Sequence, residues 1–416
     1  MTQRAASVDD FRLLSTEMLT EPYEYWGLLR HLAPVHTVDE GIGYTIVTRY
    51  EDVVAALCDS ESFSNHLGRR FPSGMSAYVD SPAVKEVLSQ GCPYVDVLSF
   101  SDGDVHARHR RIGRRPFTSR HVRELDDIIM RTVDDLAAAL PRGAEVDLVS
   151  RFCIPLPITV IAHILGVDPS RAGDVKRWAD AQVARLGEPL DDEADNLRLA
   201  RDLVDMHQYL FTQIRDRREH PGEDFLSDLV NSGESYTDEE LVMIGAQLIV
   251  GGAETSASLI ASVIDLLLSH PAAMQRCRED PGTIPDVVEE TLRLESPIKL
   301  VHRIAMRDVE LGGTLIKKDS VVLLMLGSAN RDERFANHPG SFDPARADGR
   351  KHVAFGQGVH MCLGAALARA EGRLAVAGLL GATRTIDRAR PGKPNHRSSL
   401  TVRGIASLPV VIDAGE

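Results

Sequence analysis

The 416-residue chain is poor in cysteine, and its cysteines carry no pairing pattern. They are scattered, odd in number and free of any Cys-x-x-Cys spacing: Cys58, Cys92, Cys153, Cys277 and Cys362. An odd, dispersed set argues against a disulfide framework, and structural zinc needs four ligands in short paired spacings. With 43% hydrophobic residues, the chain can bury a large core without either of them.

Positive charge and long apolar runs are also scarce. Lys and Arg number 47 against 61 Asp and Glu, and the net charge of −14, without a basic tail, disfavours nucleic acid as a partner. The N-terminus lacks the apolar core of a signal peptide, and Gln247, Glu254 and Asp265 interrupt the most apolar stretch of the chain. We therefore expect a soluble, cytoplasmic protein with neither signal peptide nor membrane anchor.

Strand patterns occupy a small part of the chain. Alternating apolar residues predict a β-hairpin from Val35-His36-Thr37-Val38 and Tyr44-Thr45-Ile46-Val47 around a turn at 39–41. Strand-like alternation returns at 300–326 and at 399–412. The β-rich part is expected to be a small region beside a larger helical body.

Helical patterns dominate from about 104 to 280, after a long and partly irregular connection at 64–100. The longest helix should open with the capping box Thr237-Asp238-Glu239-Glu240 and end at His270, before Pro271. No repeat or linker divides the sequence, so we predict a single domain over 1–416, mainly α with a small β-rich part.

The densest pattern lies near the C-terminus, in Phe355-Gly356-Gln357-Gly358-Val359-His360-Met361-Cys362-Leu363-Gly364. An alanine-rich stretch after it predicts a helix from Leu363 to Ala377, whose N-terminus would favour a thiolate at Cys362. Gly356 and Gly358 allow a tight loop, and Gly364 starts a thin first turn against which a planar group can lie. Alternatively, Cys362 is a buried structural thiol, or it joins His360 in a zinc site.

Two further patterns suggest chemistry. Gly251-Gly252-Ala253-Glu254-Thr255 stands in the middle of the longest helix, where adjacent glycines cost about 1 kcal/mol each against alanine. Such glycines indicate a close approach to the backbone, either of a ligand or of another helix, with Glu254 then on a wet face. Glu290 and Arg293 stand at i and i+3 on one helical face, which by itself is common surface decoration.

A run of basic residues lies in His106-Ala107-Arg108-His109-Arg110-Arg111. On a helix, His106 and Arg110 share one face, whereas Arg108, Arg111 and Arg115 gather on the other. Such a run usually forms a solvated cationic face.

Together these patterns resemble the cytochrome P450 family over nearly the whole chain, through Asn330-Arg331-Asp332 and Phe342-Asp343-Pro344 to Arg403-Gly404. The ten-residue loop is similar to the haem-binding loop of that family, in which the cysteine thiolate is the axial iron ligand. The resemblance implies the cytochrome P450 fold, with haem b (iron protoporphyrin IX) between the long central helix and the helix after the cysteine loop. Cys362 would be the iron ligand.

The resemblance also implies roles for the other matched residues. Thr255 would hold the distal water and oxygen, Glu254 would relay protons, and Glu290 with Arg293 would form a buried structural ion pair. The propionate contacts would be His106, Arg110, Arg303 and His360. Further cofactor contacts would come from Gly251, Gly252, Phe355, Gly356, Gly358 and Gly364.

The implied activity is insertion of one oxygen atom from O₂ into a small hydrophobic substrate. Electrons would come from a separate ferredoxin and its NAD(P)H-dependent reductase, because no flavin or iron–sulfur module is fused to the chain. Substrate-facing segments would be 64–100, roughly 170–200, Gln247 to Gly251, Ile298 to Val301, and Leu400-Thr401. Lys299 would meet either an anionic group or solvent.

Three other functions stay open. One is an H₂O₂-driven peroxygenase on the same fold, although such enzymes characteristically lose the acid–alcohol pair. Another is desaturation or oxidative coupling, and the third is a haem-binding sensor or carrier.

Overall fold

The computed structural model describes residues 8, 11–39, 43–66, 81–185 and 192–413. Its α-helices are α1 Thr16–Thr20, α2 Tyr23–Leu32, α3 Tyr50–Cys58, α4 Pro82–Leu88, α5 Gly103–Gly113, α6 Ser119–Glu124, α7 Asp126–Ala138, α8 Pro155–Leu165, α9 Ala172–Arg185, α10 Glu193–Glu219, α11 Phe225–Val230, α12 Asp238–Ser269, α13 Pro271–Glu279, α14 Ile284–Leu294, α15 Leu326–Ala329 and α16 Ala365–Ala382. Its strands are β1 Val35–Val38, β2 Tyr44–Val47, β3 Phe63–Ser64, β4 Glu145–Asp147, β5 Val301–Ala305, β6 Val309–Leu311, β7 Thr314–Ile316, β8 Val321–Leu324, β9 Ile386–Arg388 and β10 Pro409–Ile412. The prediction of a mainly α protein with a small β-rich part is confirmed.

Some predicted features lie outside the described residues. Residues 40 and 41 belong to the predicted hairpin turn, 67–80 to the predicted connection and 186–191 to a predicted substrate-facing stretch.

The chain divides into two compact units, of which the first contains Met1–His66, Ser262–Cys362 and Lys393–Ser407. Its main sheet has the order β1-β2-β8-β5-β3. The predicted hairpin is confirmed, because β1 pairs antiparallel with β2, with Val35 opposite Val47. Strand β2 continues the sheet by parallel pairing with β8, all four residues of which are buried.

The Glu290–Arg293 pair lies in the interior of this first unit and not on its surface. Arg293 is 0% exposed and Glu290 1%, and their side chains form two hydrogen bonds of 2.8 Å. Arg293 also donates to the carbonyls of Asn330, Pro339 and Ser341, and Arg346 donates to Glu290 at 3.0 Å. The buried ion pair thereby connects α14 to the segment from Asn330 to Arg346.

The second unit contains Leu67–Ala261, Leu363–Gly392 and Leu408–Glu416. It has a three-stranded antiparallel sheet of order β4-β10-β9. Helices α7 and α16 cross closely, because a Cβ at Gly378 would stand 2.3 Å from Val133 Cγ1. Glycine at that crossing lets two helices of this unit pack backbone to side chain.

Helix α12 begins and ends within one residue of its predicted bounds. The capping box is formed, since Thr237 N–H donates to Glu240 Oε2 at 3.0 Å and Glu240 N–H to Thr237 Oγ1 at 3.2 Å. The helix is long and apolar enough to cross a membrane, yet 72% of its apolar window is buried inside the protein. That burial is typical of a core helix.

Two predicted boundaries were wrong. Helix α16 runs from Ala365 to Ala382 and not from Leu363 to Ala377, with Gly364 as its N-cap, so Cys362 lies two residues before the cap and not directly before the helix. The region 399–412 forms a strand only at β10, while Val402 and Ile405 make isolated bridges with Ile298 and His396. In both regions the residues beside the helix or strand bond outside it: Cys362 N–H donates to Phe355 O, and Val402 and Ile405 form only isolated bridges.

Candidate active site

The cysteine loop is a tight turn in the first unit. Gly356 and Gly358 have φ of 67° and 73°, and a Cβ at Gly358 would stand 2.6 Å from the carbonyl oxygen of Leu57. The loop closes on itself, because Cys362 N–H donates to Phe355 O at 2.8 Å. Glycine is therefore required at 358 both for the left-handed backbone and for the approach of α3.

Cys362 is exposed, so the interpretation as a buried structural thiol is wrong. By contrast Cys92, Cys153 and Cys277 are buried, and burial raises the pKa of the Cys92 thiol to about 12. Within the described part of the chain, no group of three or more His, Cys, Asp or Glu side chains could hold a metal ion, so a zinc site with His360 lacks ligands there. Exposure leaves Cys362 accessible to an exogenous group.

Asn330 joins this loop to the buried ion pair. Its Oδ1 accepts from Val353 N–H at 2.7 Å, while its carbonyl accepts from Arg293 at 2.9 Å. Its Nδ2 donates to Ser296 Oγ at 2.8 Å. The backbone two residues before the cysteine loop is thus held by an amide whose own backbone is held by Arg293.

Arg303 and His360, both predicted propionate contacts, belong to the first unit with Cys362. Arg303 is a buried arginine on β5, 4% exposed, whose Nη1 donates to His302 O at 2.7 Å. Burial, followed by the nearby Arg303 charge, lowers the pKa of His302 to about 4. His360 ends a short 3₁₀ turn, Gly358–His360, two residues before Cys362.

The glycine pair of α12 lies in the second unit, and its two members differ. A Cβ at Gly252 would stand 3.0 Å from Ile161 of α8, so this glycine serves helix packing. At Gly251 no described heavy atom lies within 4 Å of a Cβ, so this glycine borders open space. The helix-packing interpretation is therefore confirmed for Gly252, while the open space at Gly251 leaves room for the ligand that the other interpretation predicts.

Glu254 and Thr255 follow on the same helix. The Thr255 hydroxyl donates to Gly251 O at 2.6 Å, as the spacing of four residues predicted. Glu254 is 5% exposed, so the alternative that places it on a wet face is wrong. A buried acid thus adjoins a hydroxyl beside open space.

Sequence reasoning missed Glu371, a buried acid on α16 that lies beside this motif. It is 1% exposed, and burial raises its pKa to about 8, against a smaller lowering by a hydrogen bond with Ser256 of α12. Its Oε2 has no hydrogen-bond partner among the described residues. A raised pKa favours the neutral carboxyl at pH 7. A glutamate in an alanine-rich helix gave no sequence signal of that shift.

Helix α5 carries the basic run. His106 is buried and Arg110 half-buried, on one face as predicted. Arg108 is not part of an open cationic face, because it pairs with Glu240, donates to Ser235 O and lies over the Tyr236 ring. Its side chain joins α5 to the start of α12.

His109, unassigned by sequence reasoning, is fully buried beside this pair. Its Nδ1 accepts from Leu98 N–H at 3.4 Å and its Nε2 lies 3.1 Å from Glu240 Oε1. Burial lowers the pKa of His109, so the neutral ring donates from Nε2 to the carboxylate.

Lys299 meets neither solvent nor an anionic group, contrary to both expectations. It is 1% exposed, and its Nζ donates to the carbonyls of Leu19, at 2.7 Å, and of Ser399. Burial, followed by the charge of Arg403, lowers its pKa to about 7. A neutral amine has two N–H groups, which match the two carbonyls.

Comparison with known proteins identifies the family of this arrangement. A family model described as cytochrome P450 matches residues 193–387. "Cytochrome P450 107B1" of Saccharopolyspora erythraea is 35% identical, covering 90% of this chain and 91% of its own. The "6-deoxyerythronolide B hydroxylase" of the same organism is 33% identical, covering 94% and 96%. The structure of "cytochrome P450 CREJ in complex with (4-ethylphenyl) dihydrogen phosphate" superposes with a TM-score of 0.90 at 30% identity, covering 98% and 100%.

The fold and site define a haem-thiolate monooxygenase. The chain belongs to the cytochrome P450 family, whose members use haem b. The residues present in the first unit fit that group: an exposed cysteine on a glycine turn and a buried arginine on β5.

The buried Lys299 predicts a pH dependence of stability. Its folded pKa of about 7 is below the ordinary 10.5, so between these values the unfolded chain binds a proton that the folded chain does not. Wild-type stability should therefore rise with pH relative to Lys299→Met, by about 2–3 kcal/mol between pH 6 and pH 9. Denaturant unfolding at the two pH values measures this difference.

Lys317→Met is the control, because Lys317 is 68% exposed in its pair with Asp308. That variant should keep the wild-type pH dependence. An identical pH dependence in wild type and Lys299→Met would show that Lys299 stays protonated throughout.

Proposed function

We propose that this enzyme inserts one oxygen atom from O₂ into a small hydrophobic organic substrate. The observation that carries the proposal is the sequence of groups on α12: the buried acid Glu254, the Thr255 hydroxyl and the open space at Gly251. An acid, a hydroxyl and room for a reactant are what proton delivery during oxygen reduction requires. One relative is named as a hydroxylase of 6-deoxyerythronolide B, and this supports an organic substrate for the present enzyme.

Cys362 is the proposed iron ligand, and haem bound there supplies oxygen activation. The charged side chains proposed to hold the propionates are His106, Arg110, Arg303 and His360. The residues proposed to shape the cofactor's surroundings are Gly251, Gly252, Phe355, Gly356, Gly358 and Gly364. Charge-assisted hydrogen bonds to carboxylates contribute roughly 1.5–3 kcal/mol each, which suits the basic members of this set.

Thr255 has a defined hydrogen-bonding role in this proposal. Its hydroxyl proton is donated to Gly251 O, so its oxygen lone pairs are left to accept a hydrogen bond from a donor in the open space. Glu254, one residue earlier, is the proposed source of protons. Because Glu254 is buried, its proton must be replaced along hydrogen-bonded groups rather than by direct contact with bulk water.

The acid–alcohol pair also favours this function over its rivals. An H₂O₂-driven peroxygenase needs no proton delivery to O₂, and a sensor or carrier needs neither group. Desaturation and oxidative coupling use the same residues, so they remain alternative outcomes of the same chemistry.

The electron donor is proposed to be a ferredoxin with an NAD(P)H-dependent reductase. Arg108 is 27% exposed in its pair with Glu240, whereas Arg111 stays 68% exposed in its pair with Glu234. The docking surface is therefore assigned to Arg111 together with the exposed Arg114 and Arg115, which follow α5. These arginines carry positive charge on a chain of net charge −14, which suits an acidic partner.

The whole chain, 1–416, is proposed to act as a single domain in the cytoplasm. Each compact unit is assembled from three separated stretches of sequence, so neither is an independent segment of the chain.

Replacing Thr255 with alanine should separate electron consumption from product formation. Thr255→Ala should still bind substrate and consume NAD(P)H through its partners, but release mainly peroxide, with product formation falling about 10²- to 10⁴-fold. The measurement is the ratio of product and of peroxide to NAD(P)H consumed.

The control is Thr212→Ala, because Thr212 makes the same bond to the carbonyl four residues earlier, on the exposed face of α10. Unchanged coupling in Thr255→Ala would remove Thr255 from proton delivery, and loss of coupling in both variants would indicate a general helix effect.

Reversing the charge of arginines on the docking surface should slow reduction by ferredoxin. The double variant Arg111→Glu and Arg115→Glu should be reduced by ferredoxin at least about tenfold more slowly at low salt, with the difference shrinking as salt screens the charges. Reduction by dithionite should be unchanged. Stopped-flow reduction kinetics measure both rates.

A matched double variant, Arg384→Glu and Arg390→Glu, makes the same change of net charge at two other exposed arginines. Equal slowing in the two double variants would mean that net charge, and not this surface, governs association.

A further inference from the structure

Gln247 of α12 holds the backbone of residues 97–99 with both ends of its amide. Its Nε2 donates to Val97 O at 3.0 Å, and its Oε1 accepts from Ser99 N–H at 3.2 Å. Between these two residues, Leu98 N–H donates to His109 Nδ1. Three consecutive backbone groups are thus bonded to side chains of α12 and α5.

The held segment has an unusual backbone. Leu98 has φ of 41°, in the left-handed region that leucine rarely adopts. It is 5% exposed, and its side chain lies over Gly113 together with Leu363, the residue after Cys362. A strained conformation persists where surrounding contacts over-determine it, and the bonds from Gln247 and His109 are such contacts.

The segment lies beside the reacting part of α12. Gln247, Gly251 and Thr255 follow one another at intervals of four residues, so they share one face of the helix, about 6 Å apart along its axis. Gly251 borders open space and Thr255 bonds to its carbonyl. Residues 97–99 bond to Gln247 on that same face, one turn closer to the helix N-terminus than Gly251.

We propose that Gln247 is a specificity-determining residue, which limits the size of ligand that the space beside Gly251 admits by holding residues 97–99 in place. The inference rests on the proposed function, because it takes that space to be the substrate site. Gln247 acts through residues 97–99, so it is a positioning residue and not a catalytic one. A ligand too large for the space can bind only after residues 97–99 open, so the free energy of opening weakens its binding. A small ligand binds without this opening.

The test uses the haem-loaded Gln247→Met variant, which keeps side-chain length and loses both hydrogen bonds. Two lost bonds should raise the opening equilibrium of residues 97–99, and with it amide hydrogen exchange of Leu98 and Ser99, by roughly 10- to 30-fold. A ligand that needs the open segment gains affinity by the same factor, because its apparent affinity scales with the open fraction.

Two azole probes measure the size limit by spectral titration. Clotrimazole, which is bulky, should bind roughly 10- to 30-fold more tightly to Gln247→Met than to wild type, whereas imidazole should bind equally. If Gln247→Met does not take up haem, Gln247→Glu replaces it. That variant keeps the acceptor for Ser99 but cannot donate to Val97 as a carboxylate, so a smaller shift of the same sign is expected.

The matched control is Gln208→Met, because Gln208 of α10 makes one exposed amide bond of 3.5 Å to Gln90 O. It should alter neither exchange at 98–99 nor the ratio of the two azole affinities. Unchanged exchange in Gln247→Met, or faster exchange with an unchanged affinity ratio, would overturn the inference. A wild-type enzyme without thiolate-ligated haem would instead contradict the proposed function.

Discussion

The buried carboxylate of Glu290, shared by Arg293 and Arg346, is the interaction on which the first unit depends. Removing one member of a buried ion pair costs about 3–5 kcal/mol, because the remaining charge is left uncompensated. The other N–H groups of Arg293 also donate to three backbone carbonyls, which belong to Asn330, Pro339 and Ser341. Asn330 carries the constraint to Val353, two residues before the cysteine loop begins. The position of Cys362 therefore depends on a charge cluster whose members lie 16 to 72 residues earlier in the chain.

Helix α12 plays the corresponding part in the second unit. Its N-terminus is fixed by Glu240, which caps the helix and also accepts from Arg108 and faces His109 of α5. Further along, one face carries Gln247, Gly251 and Thr255 in successive turns. A single helix thus relates the segment 97–99, the open space at Gly251 and the Thr255 hydroxyl. Because the helix is largely buried, these groups keep their spacing without needing loops to position them.

Local patterns predicted what depends on neighbours in sequence. The capping box, the hairpin and the bond from Thr255 to Gly251 all follow from spacing, and all are present. The resemblance added the burial of Glu290 and Arg293, which spacing alone left at the surface. What failed depends on partners distant in sequence: Lys299 bonds to Leu19 and Ser399, and no alternation pattern contains that information.

The same limit explains the other residues that sequence reasoning missed. Glu371 and His109 are polar residues on helices whose neighbours do not reveal which face is buried, and their altered pKa values come from tertiary burial. The glycine pair of α12 is a mixed case: helix packing accounts for Gly252, whereas a ligand at Gly251 stays a prediction. The cysteine loop was the strongest signal because its glycines are required by backbone angles and close contacts that permit few alternatives.

The central claim, that Cys362 is the thiolate ligand of haem, is tested most directly by the absorption spectrum of the reduced enzyme under carbon monoxide. Cys58 provides the control, because it is the other exposed cysteine among the described residues. Wild type and Cys58→Ser should both show the red-shifted Soret band that thiolate ligation produces, and Cys362→Ser should lack it. A red-shifted band that persists in Cys362→Ser, or one that disappears in Cys58→Ser, would contradict the account.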